Sequence, residues 1–372
     1  MIPKYMKAAR LHKVGAQFQV DEIPVPAVRP TDVLVKVATA GVVQNLRNVI
    51  TTYPTTRPFL PLPKLPAIFG LDSTGVVAAV GDRVNAGIRV GDRVYVNPGL
   101  SCGACLACRR GEPPNCPSYA FMGYFGFGKD SQSQYEAYPY GGFGEYLTAP
   151  AANLVKVPDS VTFEQASRFG YLGTSYSGLR KVDFRPGQSL LVDGGTGTLG
   201  VGTILLALAM GASRIFATGR DRGRLERLKA LNPQRIDTIA AGSGLVADHV
   251  MAATGGGGVD VMLEALAPNS PAANVVDAFN ALRRGGKAVK VGGVSETLPI
   301  EPVTLMVQQK SIIGSLWFTT GEGEDMAAMA QSGALNLDVF EHEVFQLDQI
   351  DEALDAIDSR AGGFTNIVIR HG

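Results

Sequence analysis

The chain has 372 residues, long enough for two domains, with 34 lysines and arginines balanced by 34 aspartates and glutamates, and a composition that is 45% hydrophobic and 18% charged. That balance leaves no global field to draw nucleic acid or an anionic membrane surface, so neither is expected as a partner. No apolar run approaches the ~20 residues of a spanning helix and the opening MIPKYMKAARLHK carries no secretory segment, so a cytoplasmic address is expected.

Residues 1 to about 150 read as β-rich. Short strand-like runs at 6–12, 18–23, 32–40, 74–80 and 93–96 are separated by glycine, proline and charge. Between them, residues 51–66 hold Pro54, Pro58, Pro61, Pro63 and Pro66, which predicts an extended surface loop rather than a helix. All four cysteines then fall together as Cys102, Cys105, Cys108 and Cys116. Four thiolates at such spacings on a glycine- and proline-rich loop can converge on one Zn²⁺, and four protein ligands leave no open position, so the metal would be structural. A disulfide reading needs an oxidising compartment, and an iron–sulfur cluster, which four thiolates also suit, has no redox partner implied here. Residues 118–140 are dense in Tyr and Phe. They read either as a mobile aromatic loop suited to a bulky substrate or as a loop packed on its own domain or a second copy.

From residue 189 the pattern changes. Leu190, Leu191 and Val192 lead into Gly195, Gly197 and Gly200 at GxGxxG spacing, a nearly unbroken apolar segment follows to Met210, and a β-branched and aromatic run closes the unit at 214–218. Strand, glycine turn, helix and strand in that order present backbone N–H groups to a pyrophosphate. The second strand ends in Thr218, Gly219 and Arg220, with Arg222 and Arg224 behind, where a site for NAD usually has a carboxylate. Glycine would make room for a 2′-phosphate and arginine offers a fork for it, which favours NADP(H) over NAD(H). The competing reading is that the arginines merely solvate the next helix and Asp221 turns inward. Segments 235–240, 245–253, 259–263, 271–283 and 287–291 continue the alternation of strand and helix. A last helix with Asp348 as cap and Ile350, Leu354 and Ile357 on one face precedes a strand at 365–370. Trp317, the only tryptophan, either lines a cleft or packs in a core or interface.

Together with Gly91-Asp92-Arg93-Val94, Gly141-Gly142-Phe143-Gly144-Glu145-Tyr146, Gly173-Thr174-Ser175-Tyr176, Gly257-Gly258-Val259-Asp260-Val261 and Val291-Gly292-Gly293, these motifs give a chain that resembles the zinc-containing alcohol dehydrogenase branch of the medium-chain dehydrogenase/reductase superfamily over nearly its whole length. The resemblance implies an α/β protein, with a Rossmann doubly wound parallel sheet and a β-rich GroES-like domain. The GroES-like substrate domain would span 1–154 with a zinc lobe at about 98–118, the Rossmann domain 155–296, and 297–372 would return to the first domain. It implies cofactor contacts from Gln44, Thr174, Gly195, Gly197, Thr198, Leu199, Gly200, Gly219, Arg220, Arg224, Ala265, Val291 and Gly293. A homodimer or homotetramer follows from the same analogy.

The departures from the family pattern bear on mechanism. Where relatives carry the ligands of a catalytic zinc, this chain reads Val43, Leu71 and Gly170, and His12, His249, His342 and His371 lie outside those segments. A structural zinc without a catalytic one is therefore expected. Hydride transfer without a Lewis acid suits conjugated C=C or C=N bonds, whose developing anion is delocalised. Metal-free interconversion of an alcohol with a carbonyl compound, and an NADPH-binding sensor without turnover, are the alternatives. Asn45 matches the position of the relay hydroxyl and Asn48 that of the relay histidine, Tyr53 and Tyr124 are candidate acids, and Asp72 matches a carboxylate behind the metal.

Overall fold

The computed structural model describes residues 1–85, 87–359 and 362–372. Its first domain is built on the β-branched strands Asp32–Gly41 and Asp72–Val80, which pair antiparallel, with Arg93–Val96 and Leu154–Lys156 continuing the sheet and Tyr146–Pro150 on the other side of Asp32–Gly41. Alternate residues Val33, Val35 and Val37 meet Val77, Val94, Val96 and Leu147 in one buried layer, as period-two patterning requires. The chain's last strand, Thr365–Arg370, pairs antiparallel with Asp32–Gly41 and carries Glu341–Gln346 parallel on its outer side. Strands from residues 32–156 and 341–370 therefore complete one sheet, and the second domain is inserted between them.

That second domain is a six-stranded parallel sheet in the order Ile236–Ala240, Arg214–Gly219, Ser189–Asp193, Val259–Glu264, Leu282–Lys290, Ser311–Gly314. Leu190, Leu191 and Val192 are wholly buried because helices cover both faces. The sixth strand lies beyond residue 296, where the sequence reading ended this unit. The helix Thr320–Gln331 follows it and packs on the helix Phe169–Lys181 and on Leu154–Lys156 of the first domain. Among the described residues, no helix is long and apolar enough to cross a membrane.

Three expectations are corrected. Residues 51–66 are not wholly extended: Leu46–Thr51 and Tyr53–Thr56 are short helices, and Pro54 fits because it stands in the first turn, where its missing N–H is not needed. The aromatic segment is not a mobile loop, since Tyr119, Phe121, Met122, Tyr124 and Phe125 are all buried. Their rings pack edge-on and tilted at 4.7 to 5.6 Å, so the segment packs on its own domain. Asp348 does not cap the last helix. A single 3-10 turn, Leu347–Gln349, precedes Ile350–Ser359, with Gln346 and Gln349 bonding each other's backbone reciprocally.

A candidate active site between the two sheets

The glycine turn is shaped by close approach. Gly194 has φ +92°, Gly195 lies where a Cβ would come within 2.8 Å of the Ala217 Cβ, and a Cβ on Gly200 would strike Gly194 O and lie 2.6 Å from Gly195 Cα. Gly197 differs. It caps the helix Thr198–Ala209 in extended conformation, and a Cβ there would meet only Gly194 O at 3.3 Å, so its outer side is open. Leu199 follows in the first turn, whose N–H groups have no side-chain cap.

Gly219 ends the adjacent strand about 20 residues beyond the last glycine of the turn, Arg220 follows it, and Arg224 lies in the first turn of the next helix. Gly219 is glycine for a reason other than making room for phosphate: a Cβ would lie 2.5 Å from the Thr196 methyl group. The same packing excludes a carboxylate from this position. Asp221 does not turn inward; it caps the helix Arg222–Leu231, accepting from the Arg224 N–H at 2.9 Å, and lies 3.6 Å from Arg224 Nε. Arg220 and Arg222 are exposed, and neither guanidinium makes a hydrogen bond or ion pair among the described residues. Ala265, Val291 and Gly293 follow the carboxyl ends of the neighbouring strands, their N–H groups donating to Asp193 O, Glu264 O and Leu266 O. All these positions line one edge of the sheet, where strand order reverses about Ser189–Asp193.

The first domain brings Asn45, Tyr53 and Tyr124 together. Asn45 Nδ2 donates to the Tyr53 hydroxyl at 2.6 Å, Asn48 Nδ2 donates to Asn45 Oδ1 at 3.2 Å, and the Tyr53 ring lies 5.9 Å from Phe125. Burial pushes Tyr124 well above the ordinary tyrosine range, the nearby Tyr171 and Tyr53 add to this, and the Asn45 side chain opposes it. Tyr124 is therefore a neutral O–H donor throughout the physiological range. Thr174, on the helix Phe169–Lys181, is buried with its hydroxyl on Gly170 O, and Gln44 donates its backbone N–H to the Tyr171 hydroxyl at 2.9 Å.

Val43, Leu71 and Gly170, the three positions of the missing ligands, are buried beside a carboxylate. Asp72 accepts from the Tyr95 hydroxyl at 2.7 Å and from the Gly170 N–H, and its carboxyl stands so close to Gly170 that a Cβ there would lie 2.6 Å from Asp72 Cγ. Burial lifts this carboxyl to about 7, against the pull of Tyr95 and Arg168. The residues present do not fit a catalytic zinc: two aliphatic side chains and a glycine offer no ligand atom, and a side chain at 170 would have to displace the Asp72 carboxyl.

The cysteine lobe fits a structural zinc. The four sulfurs of Cys102, Cys105, Cys108 and Cys116 lie within 4.8 Å of one another, the only such group of three or more candidate ligands among the described residues. Backbone N–H groups of Ala104 and Cys105 pull the Cys102 thiol down to about 6 while burial pushes Cys108 up to about 11, so it is the convergence of the four sulfurs that marks the site. Trp317 is buried, its indole N–H donating to Asn97 Oδ1 at 2.9 Å and its ring 4.6 Å from Phe121, so it joins the two domains. Sequence reasoning missed Arg168 and Tyr171, which sit beside Asp72. An arginine within the otherwise apolar run AxRFGYLG was the available signal.

Residues 29–159 match the family model described as alcohol dehydrogenase GroES-like domain, and residues 198–332 that described as zinc-binding dehydrogenase. The chain is 30% identical to an alcohol dehydrogenase of Geobacillus stearothermophilus over 94% of its own length and 95% of the relative's. It is 27% identical to a sorbitol dehydrogenase of Bacillus subtilis (strain 168), covering 95% and 94% of the two chains. Among solved structures, one described as an NAD-dependent alcohol dehydrogenase superposes with a TM-score of 0.81 at 28% identity, covering 99% of this chain and all of the other.

Proposed function

Because the chain belongs to the zinc-type alcohol dehydrogenase branch of the medium-chain dehydrogenase/reductase superfamily and is an oxidoreductase of that type, we propose that it transfers hydride between NADP(H) and a conjugated C=C or C=N bond, without a catalytic zinc. The observation that carries this reading is the filled metal position, where Val43, Leu71 and Gly170 replace ligands and Asp72 closes against Gly170. A bound nicotinamide supplies or accepts the hydride. What remains for the protein is to bind the dinucleotide at the glycine turn, hold the substrate's heteroatom and exclude water. The Asn45 amide, the Tyr53 hydroxyl and the neutral hydroxyl of Tyr124 are donors grouped to hold that heteroatom and the charge that develops on it. The exposed Arg220 and Arg222, beside a Gly219 that packing keeps free of a carboxylate, support NADP(H) over NAD(H).

The same donors would polarise an isolated carbonyl, which supports the second reading: metal-free interconversion of an alcohol with an aldehyde or ketone, in keeping with the names of the relatives. A homodimer or homotetramer in the cytoplasm is part of the proposal. The strand Ser311–Gly314 ends its sheet with Ile312 and the nearby Leu316 exposed, an edge suited to a second copy, and light scattering tests it.

The deciding experiment is a metal count on protein purified without added zinc, with NADPH oxidation followed against an enone and its saturated ketone. About one zinc per chain and turnover of the enone alone are expected on the reading proposed. Turnover of the saturated ketone favours the second reading, binding without turnover of either marks a sensor, and about two zincs per chain would overturn the metal-free mechanism.

A further inference from the structure

Arg168 is a buried charge that the chemistry above does not use. It stands at the N-cap of the helix Phe169–Lys181 and is only 3% exposed. Its Nη2 donates to Gly363 O at 2.6 Å and its Nη1, at a long 3.3 Å, to Thr365 O, while its guanidinium lies over the rings of Tyr171 and Phe340. Nε has no partner, and the nearest carboxylate, Asp72, acts on the guanidinium only from beyond ion-pair distance. An unpaired buried cation with an orphaned N–H is costly, and an anion would complete it.

The surroundings say which anion. Arg168 lines a narrow, partly open cleft of about 10 Å³ with Gln44, Tyr171, Thr198, Gly362 and Thr365, which has to widen to admit a phosphate oxygen. Thr198 opens the twelve-residue helix at the glycine turn, so the first-turn N–H groups and the guanidinium border one space. The loop that Arg168 grips also lies over this turn. Gly363 donates its N–H to Thr196 O at 3.0 Å, and its Cα is so near that a Cβ would come within 2.7 Å of the Gly197 carbonyl carbon.

We propose that Arg168 is a binding residue for the pyrophosphate of the dinucleotide: a phosphate oxygen takes the free Nε–H, while Nη2 and Nη1 keep Gly363 and Thr365 and so hold residues 362–365 as a strap over the glycine turn. The proposal rests on the dinucleotide reading of that turn and is independent of the choice between NADP and NAD and of the reaction. It gives one residue two tasks, charge neutralisation and closure, which no surface arginine at the ribose end could perform.

The test is calorimetric titration of full-length Arg168→Gln, Arg168→Lys and Gln44→Glu proteins with NADPH, with NADH, and with adenosine 2′-monophosphate, which has no pyrophosphate. Loss of a charge-assisted phosphate contact is expected to weaken both dinucleotides on the order of 10- to 100-fold in Arg168→Gln and to leave adenosine 2′-monophosphate within about twofold. Arg168→Lys should recover part of the loss. Gln44→Glu, which keeps the bonds to Gly363 and Thr365 but puts a carboxylate in the cleft, should weaken both dinucleotides as well, and serves if Arg168→Gln does not fold. Dinucleotide affinity unchanged in Arg168→Gln and Gln44→Glu, or an equal loss for adenosine 2′-monophosphate, would overturn the assignment. Failure of adenosine 2′-monophosphate to bind the wild-type protein strikes only the NADP preference, because the NADH titration still reads Arg168.

Discussion

Two glycines of the phosphate turn, three residues apart, should respond in opposite ways to the same added methyl group. Gly197 has φ −82° and ψ 174°, which any residue adopts, and its Cβ would touch only Gly194 O at 3.3 Å. Gly197→Ala should therefore leave stability within about 0.5 kcal/mol, a slight crowding offset by the lower entropy of the unfolded chain. The methyl group does project into the open side, where a phosphate must approach the first-turn N–H groups. Displacing that phosphate by about 1 Å forfeits at least one charge-assisted hydrogen bond, worth roughly 1.5–3 kcal/mol, or about 10- to 100-fold in dinucleotide affinity. Gly200→Ala instead places its Cβ onto Gly194 O and 2.6 Å from Gly195 Cα, so the backbone of the turn itself has to move. Overpacking of this kind costs about 1–3 kcal/mol, and both stability and binding should fall. Thermal unfolding with and without NADPH separates the two. At 100 times the wild-type Kd, ligand binding stabilises the wild-type protein by about 2.7 kcal/mol, and a tenfold weaker Gly197→Ala protein by about 1.4 kcal/mol from an unchanged unliganded baseline. A Gly197→Ala protein that binds NADPH as tightly as wild type would refute the assignment of the open side to the pyrophosphate.

Three further outcomes follow from the site. Removing the Tyr124 hydroxyl by Tyr124→Phe should lower kcat by roughly 10²–10³ with little change in the Kd for NADPH, and equal kcat in a steady-state assay would remove Tyr124 from the donor group. Asp72 is raised by burial from 3.8 to about 7, so the folded protein holds this proton longer than the unfolded chain. Stability from the group is then fully present below about pH 4 and is lost as pH rises through about 7, a span of order 4 kcal/mol. Asp72→Asn should flatten that fall in urea titrations at pH 5 and 8, though not abolish it, because burial also lifts Asp193 to about 7. Withdrawing zinc from the cysteine lobe, by chelator or by Cys105→Ser, should lower Tm by several degrees while the Kd for NADPH stays within about twofold, as the sulfurs lie far along the chain in the other domain. A parallel loss of NADPH affinity in a titration of the zinc-free protein would contradict a purely structural lobe.

Much of this was legible in the chain itself, and for local reasons. A strand, a glycine turn and a helix are specified within 34 consecutive residues by short-range sterics, and the four thiols within 15 residues converge because a short loop has few other ways to arrange them. The strands of the first domain were marked by β-branched runs between prolines and glycines, although Pro54 misled because a proline in a first helical turn and one in a loop look alike in sequence. What lies far apart in sequence was settled only by packing. Residues 365–370 reach Asp32–Gly41 across more than 300 residues, bringing Gly363 onto the glycine turn. Asp72 meets Gly170 across 98, which turns a list of missing ligands into a filled site. The role of Gly219 was likewise a tertiary matter, since the Thr196 methyl group, not an absent phosphate, is what forbids a side chain there. Arg168 is the clearest case. Its charge is plain in the sequence, but burial, the unpartnered Nε and the grip on residues 363 and 365 exist only once helix, turn and returning strand meet, because desolvation and hydrogen-bond geometry are properties of the assembled surroundings rather than of the residue.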